Sequence, residues 1–303
     1  MSDAASHAID LMHMGVPGAI SAWLVRGPAG DVLIESGPAS TGETLDAGLR
    51  SLGVEPASLS ALLLTHIHLD HAGGAWRLAR LGVPVHVHAF GAPHLIDPSR
   101  LDRSARAIYG DRFDTLWGPL EPCPAELVHA RSDGDVVHAA GLSFAAVETT
   151  GHANHHHAWH ALETGELFVG DAAAMRVPGT DWITVPMPPP EFDLDRWLAT
   201  LDRIEGGPWT RLRLTHGGTV QDIPSHLRQL RSSMSDQVVW ITGHQGPGRR
   251  ADYLETLRSQ AARYDVPEPL FEAHVTRGLV DMNLAGVDRW NARRAEMDRP
   301  HGP

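Results

Sequence analysis

Apolar residues fall in short blocks along most of the chain and at helical intervals in its last quarter, with no evident internal repeat. Blocks at 19–26 and 31–35, joined by Gly27-Pro28-Ala29-Gly30, predict two strands of a hairpin. Residues 41–52 predict a helix, 61–64 a short buried strand, 76–81 a second helix and 84–88 a further strand. The second half repeats the style, with strands predicted at 126–128, 135–138, 142–148, 158–162, 166–169 and 212–214 and a helix over 194–204. From Gln221 onward the period changes: Leu227, Leu230, Met234, Val238 and Ile241 recur at helical spacing, and two more helices are expected within 251–264 and 267–297.

Polar residues that could do chemistry cluster where the apolar blocks end. After Ala61-Leu62-Leu63-Leu64 comes Thr65-His66-Ile67-His68-Leu69-Asp70-His71, four metal-ligand types in six positions. Alternate residues on an extended segment face the same way, so His66 and His68 point together from the strand exit, with Asp70 and His71 on the turn beyond. Three later strand-like runs end the same way: Thr150-Gly151-His152, Gly170-Asp171 and Thr215-His216-Gly217-Gly218. Such a set of imidazoles and carboxylates suits zinc, and also accepts iron or manganese.

At these residues the chain resembles the metallo-β-lactamase fold superfamily, whose H-x-H-x-D-H run, later Gly-His, later Gly-Asp and final His occur here in that order between residues 19 and 218. The resemblance implies an α/β fold, a four-layer αββα sandwich, with a helical C-terminal extension: a catalytic domain over 1–218 and the extension over 219–303. It also implies two divalent ions, zinc first, one held by His66, His68 and His152 and the other by Asp70, His71 and His216, with Asp171 bridging them. Asp70 carries a further implied role, taking or relaying a proton. The implied chemistry is hydrolysis by a metal-bridging hydroxide, the ions lowering the pKa of water and polarising the bond to be cut.

The acidic bridge points to the glyoxalase II and lactonase branch, and so to a carboxylic ester, lactone or thioester. Ala172-Ala173-Ala174-Met175-Arg176 lacks the Cys-Gly-Arg segment usual in glyoxalase II, and none of the three tyrosines lies between Asp171 and His216, where lactonases often use one. The alternatives are a phosphodiesterase, a persulfide dioxygenase, and a non-catalytic protein that binds metal and ligand to regulate.

Residues 91–124 form a long insert between strands, a length that shapes pockets or interfaces. The resemblance places it near the site's mouth, so Tyr109, Phe113 and Trp117 are the expected substrate contacts. Glu35, where the family commonly has an Asp-containing turn, reads as structural. The second pair, His86 and His88, lacks a following Asp-His and reads as core or supporting residues, as does His94. His156 is expected to support the ligands from behind.

Composition narrows the setting. With 303 residues and 42% apolar content the chain fills a sizeable core, and its net charge of −12 argues against nucleic acid or an anionic membrane as partner. A small-molecule substrate is expected, with a homodimer through the C-terminal helices as one use for them. Residues 1–14 lack a basic segment followed by an apolar one, and the lone Cys123 has no intrachain partner, so a cytoplasmic location is expected.

Overall fold

The computed structural model describes residues 5–276 and 278–297. It divides into two compact units. The first holds the described residues up to Thr149 together with His155–Gly170 and Pro208–Gln221, and the second holds Thr150–Asn154, Asp171–Gly207 and the described residues from Asp222 onward. The division differs from the expected boundary after Gly218, because two segments of the predicted catalytic domain join the C-terminal helices.

The first unit contains two six-stranded sheets. One runs in the order β1 (Ser6–Asp10), β2 (Ser21–Gly27), β3 (Gly30–Ile34), β4 (Ala61–Leu63), β5 (Val85–His88) and β6 (Val128–Arg131). Its helices are α1 (Gly42–Ser51), α2 (Leu69–Ala72), α3 (Ala75–Ala79), α4 (Ala92–Ile96), α5 (Ser99–Tyr109) and α6 (Phe113–Leu116). The other sheet contains β7 (Val136–Ala139), β8 (Leu142–Glu148), β9 (His157–Ala161) and β10 (Glu166–Phe168), followed beyond β10 by β13 (Arg211–Arg213) and β14 (Thr219–Val220).

Side-chain alternation explains why the strands read as unbroken apolar runs. On β2, Ala22 and Leu24 enter one core with α1 and α3, whereas Trp23 and Val25 enter a second core with Phe144, Trp159 and Phe168 of the other sheet. Leu33 and Leu62 take the first side; Val32, Ile34, Ala61 and Leu63 take the second. A sheet covered on both faces needs apolar residues at every position. Cys123 lies in the first core, where burial pushes its thiol up to about 12.

In the second unit, β11 (Met175–Arg176) pairs with β12 (Ile183–Thr184), and five helices follow or flank them: α7 (Leu194–Glu205), α8 (Ile223–Gly243), α9 (Arg249–Ala262), α10 (Glu268–Phe271) and α11 (Leu279–Met297). Asp193 caps α7 by accepting from the Arg196 N–H, and Asp222 caps α8 through the Ser225 N–H. The single helix predicted over 267–297 is two, separated by a π-turn at Glu272–Thr276 and by Gly278 at φ +147°. Among the described residues no helix is long and apolar enough to cross a membrane.

Candidate metal centre

The run after β4 leaves the sheet with His68 still extended (φ −62°, ψ 153°), then turns into the four-residue α2 that carries Asp70 and His71. His216 arrives from the exit of β13, where Ser21 N–H donates to Thr215 O and Trp23 Nε1–H donates to Leu214 O. Asp70, His71 and His216 thereby offer ligand atoms that all lie within 4.8 Å of one another. His71 Nε2 and His216 Nε2 are 3.3 Å apart, and Asp70 Oδ2 is 3.8 Å from the first and 3.5 Å from the second. His66 and His68 stand beside this group: His66 Nε2 is 2.9 Å from His68 Nδ1, and the His66 and His71 rings are centred 4.0 Å apart.

What lies behind the rings sets which nitrogen faces inward. His71 Nδ1 is 3.1 Å from Glu35 Oε1, and His216 Nδ1 is 2.6 Å from the carbonyl of Ala19. Carboxylate and carbonyl oxygens accept, so both Nδ1 atoms carry the proton and both neutral rings turn an Nε2 lone pair toward the other. Two lone pairs at 3.3 Å repel unless a cation lies between them. The Asp70 carboxylate on the same side completes a donor set that fits a divalent ion. The same logic extends to His66, whose Nδ1 donates to Thr65 Oγ1 at 3.0 Å while the Thr65 hydroxyl donates to Glu35 Oε1.

Glu35 was expected to be structural; the geometry corrects this. Its buried carboxylate orients His71 directly and His66 through Thr65. Its left-handed backbone (φ 67°) follows β3 and left no recognisable mark in the sequence. His156 also serves from behind, its Nδ1 2.8 Å from Thr149 Oγ1 and its ring 4.7 Å from that of His66. His157 donates to Leu64 O from Nε2 and to Thr65 O from its backbone, bracing the exit of β4. Burial pushes His157 down to about 3 and keeps it neutral.

In the second unit His152 and Asp171 meet, with His152 Nε2 3.3 Å from Asp171 Oδ2. His152 Nδ1 donates to Pro186 O at 3.0 Å, so this ring too turns its Nε2 lone pair toward a carboxylate. Gly151, at φ +124°, lets the strand exit pass against α7, and the indole of Trp197 packs edge-on to His152. Trp197 Nε1–H and His226 Nε2–H donate to Ala172 O and Ala173 O, fixing the turn that carries Asp171. Neither Trp197 nor His226 is marked by any pattern in the sequence.

The other histidines and the insert divide by environment. His86 Nδ1 accepts from Arg131 Nε–H and His88 Nδ1 from the Phe90 N–H, so this His-x-His pair is spent on the sheet. Burial, then the charges of Arg131 and His129, push His86 down to about 3. Phe113 has no exposed surface and packs with Leu69 and Ala105, which corrects its place among the expected substrate contacts. Tyr109 and Trp117 are half-buried with rings 5.2 Å apart, and Trp117 stacks on His13. Burial pushes the Tyr109 hydroxyl up to about 12, and the charge of Asp70 adds to the shift. Residues 176–190 form a proline-rich segment, in which Pro178 to Asp181 line a cavity of about 600 Å³ with Tyr264 and Leu270, whereas Pro186 reaches His152.

Residues 15–216 match the family model of the metallo-beta-lactamase superfamily. The chain belongs to that superfamily. Among its relatives is the metallo-beta-lactamase fold-containing protein ST1585 of Sulfurisphaera tokodaii, 27% identical over 59% of this chain and 69% of that one. The crystal structure of ST1585 from Sulfolobus tokodaii superimposes with a TM-score of 0.69 at 20% identity, over 94% of this chain and 98% of that one. A hydroxyacylglutathione hydrolase of Aeromonas hydrophila is 31% identical over 49% of this chain and 44% of its own length. An atrochrysone carboxyl ACP thioesterase of Aspergillus fumigatus is 27% identical over 56% of this chain and 42% of its own. The matches to these last two therefore take in less than half of each. The superfamily fold, two sheets with helices and a helical C-terminal region, is the one described above.

Proposed function

We propose that this superfamily member, a metal-dependent hydrolase, is dinuclear and cleaves a carboxylic ester, lactone or thioester of small molecular size. His66, His68 and His152 would hold one ion, Asp70, His71 and His216 the other, with Asp171 shared; zinc suits these donors best. The observation that carries the reading is the pair of Nε2 atoms of His71 and His216, 3.3 Å apart with both Nδ1 protons directed outward beside Asp70. When bound, such ions lower the pKa of water toward neutrality and polarise a carbonyl oxygen.

The chain's own residues supply position and proton handling. Glu35, Ala19 and Pro186 fix the imidazoles in one tautomer, so ligand geometry is set before substrate arrives. Asp70 is about a quarter exposed, so its carboxylate can both face His71 and His216 and hold a proton in contact with solvent. Tyr109 and Trp117, half-buried with their rings 5.2 Å apart, would offer a partly apolar surface for the acyl portion. Two relatives, a hydroxyacylglutathione hydrolase and an ACP thioesterase, support water as acceptor and an acyl bond as target. The net charge of −12 favours a small substrate over nucleic acid.

Elemental analysis of protein purified without added metal, paired with a panel of a small lactone, a thioester, an aryl ester and a phosphodiester, tests the proposal. About two zinc ions per chain and chelator-sensitive cleavage of an acyl substrate are expected. One iron with oxygen consumption, or cleavage confined to the phosphodiester, would overturn it.

A further inference from the structure

The C-terminal helices carry a buried polar device that no catalytic step uses. Asn283 on α11 is fully buried, and its amide spans the proline-rich segment: Nδ2–H donates to Val185 O at 2.8 Å, and Oδ1 accepts from the Met187 N–H at 2.9 Å. The side chain thus pairs with residues 185 and 187 as a neighbouring strand would. The residue between them is Pro186, which has no N–H of its own and whose carbonyl receives the His152 Nδ1 proton.

Two further groups hold the amide in place. Asn283 Nδ2 lies 3.2 Å from the Tyr253 hydroxyl of α9, and that hydroxyl donates to Gln237 Oε1 of α8 at 2.6 Å. Three helices therefore converge on one carboxamide. Gly286, one turn further along α11, sits under Met187 so closely that a Cβ there would fall 1.9 Å from the Met187 carbonyl oxygen. Such a close approach is possible only for glycine, and it seats the helix directly on the segment.

We propose that Asn283 is a positioning residue for the metal centre: through Val185, Pro186 and Met187 it fixes the Nδ1–H tautomer and the orientation of His152. The helical extension then tunes one of the two metal sites and leaves the other alone. This inference rests on the dinuclear reading above. It adds to it a residue that lies in a different helix from any ligand and a selective consequence for the ion held by His152.

The test measures zinc affinity, by chelator competition, in a His216→Ala background that leaves only the His152 ion to be titrated. Asn283→Ala and Gly286→Ala each displace the same segment by different means, and each is expected to weaken this ion by 10- to 100-fold, the usual effect of removing a ligand's supporting partner. In a His152→Ala background the remaining ion should bind as in the parent, with or without Asn283→Ala. Leu257→Ala, a buried truncation on α9 that removes no hydrogen bond, is the control for general loosening of the helices. Unchanged affinity for Asn283→Ala and Gly286→Ala, or an equal loss for Leu257→Ala, would overturn the proposal. If the His216→Ala parent takes up no zinc at all, the dinuclear reading itself fails, a different result from its variants matching it.

Discussion

Glu35 stands in left-handed backbone with its carboxylate almost wholly buried, and it accepts from both His71 Nδ1–H and the Thr65 hydroxyl. An ionised carboxylate is acceptor-only, so it accepts the Nδ1–H of His71 directly and orients His66 through the Thr65 hydroxyl. Truncation to alanine leaves those two buried donors without their acceptor, at about 1–3 kcal/mol each. We expect Glu35→Ala to lower stability of the metal-free protein by a few kcal/mol and to weaken zinc by about 10- to 100-fold. Glu35→Gln, which retains an oxygen, should fall between it and the parent. Urea denaturation and zinc competition check both, and an alanine variant with parental zinc affinity would remove Glu35 from the centre. The candidate ligands stood out in the sequence because histidine and aspartate cluster where apolar, strand-like runs end. Glu35 was not, since a lone carboxylate after a strand has no spacing to betray it.

Elements bring the ligands to their places, and glycine marks where an element leaves no room. Gly151 has φ +124°, and a Cβ on it would lie 2.4 Å from the backbone nitrogen of Trp197 in α7. Gly151→Ala must move the loop bearing His152 off that helix or strain it, at a cost of about 1–3 kcal/mol. We expect the variant to denature at lower urea and to bind zinc more weakly in the His216→Ala background; an alanine variant equal to the parent in both would show the contact to be slack. The strands were legible for a physical reason as well. Ala22, Leu24, Trp23 and Val25 alternate between two cores, so β2 appears as a solid apolar run and no polar face is lost to view. Strand β1 was missed because Ser6, His7 and Asp10 carry no such run, its register being set by pairing with β2. The break near Gly278 was hidden by apolar spacing that continues across it. Phe113 read as a contact because it lies in the insert that the resemblance places near the site's mouth, whereas its ring is enclosed by Leu69 and Ala105.

Across the whole molecule, the 20 histidines make acid stability a property that few local arguments would reveal. His86 and His157 are pushed down to about 3 and His226 to about 4, in each case chiefly because burial disfavours the imidazolium. A histidine whose folded pKa lies below its unfolded value of 6.5 is held neutral by the fold, so the unfolded chain binds its proton first. That contribution to stability is fully present above pH 6.5 and is lost as pH falls toward 4, where the folded form of His226 also protonates. At about 1.4 kcal/mol per unit, His226 alone accounts for a loss of about 3 kcal/mol across that window. Replacing it by glutamine keeps a donor for Ala173 O and removes the titration. We expect urea denaturation of the metal-free protein at pH 7.5 and pH 4 to show a steep loss for the parent and one smaller by about 3 kcal/mol for His226→Gln. Equal losses would mean that His226 takes its proton in the folded state as readily as in the unfolded chain, and the acid sensitivity would then have to come from the other buried histidines.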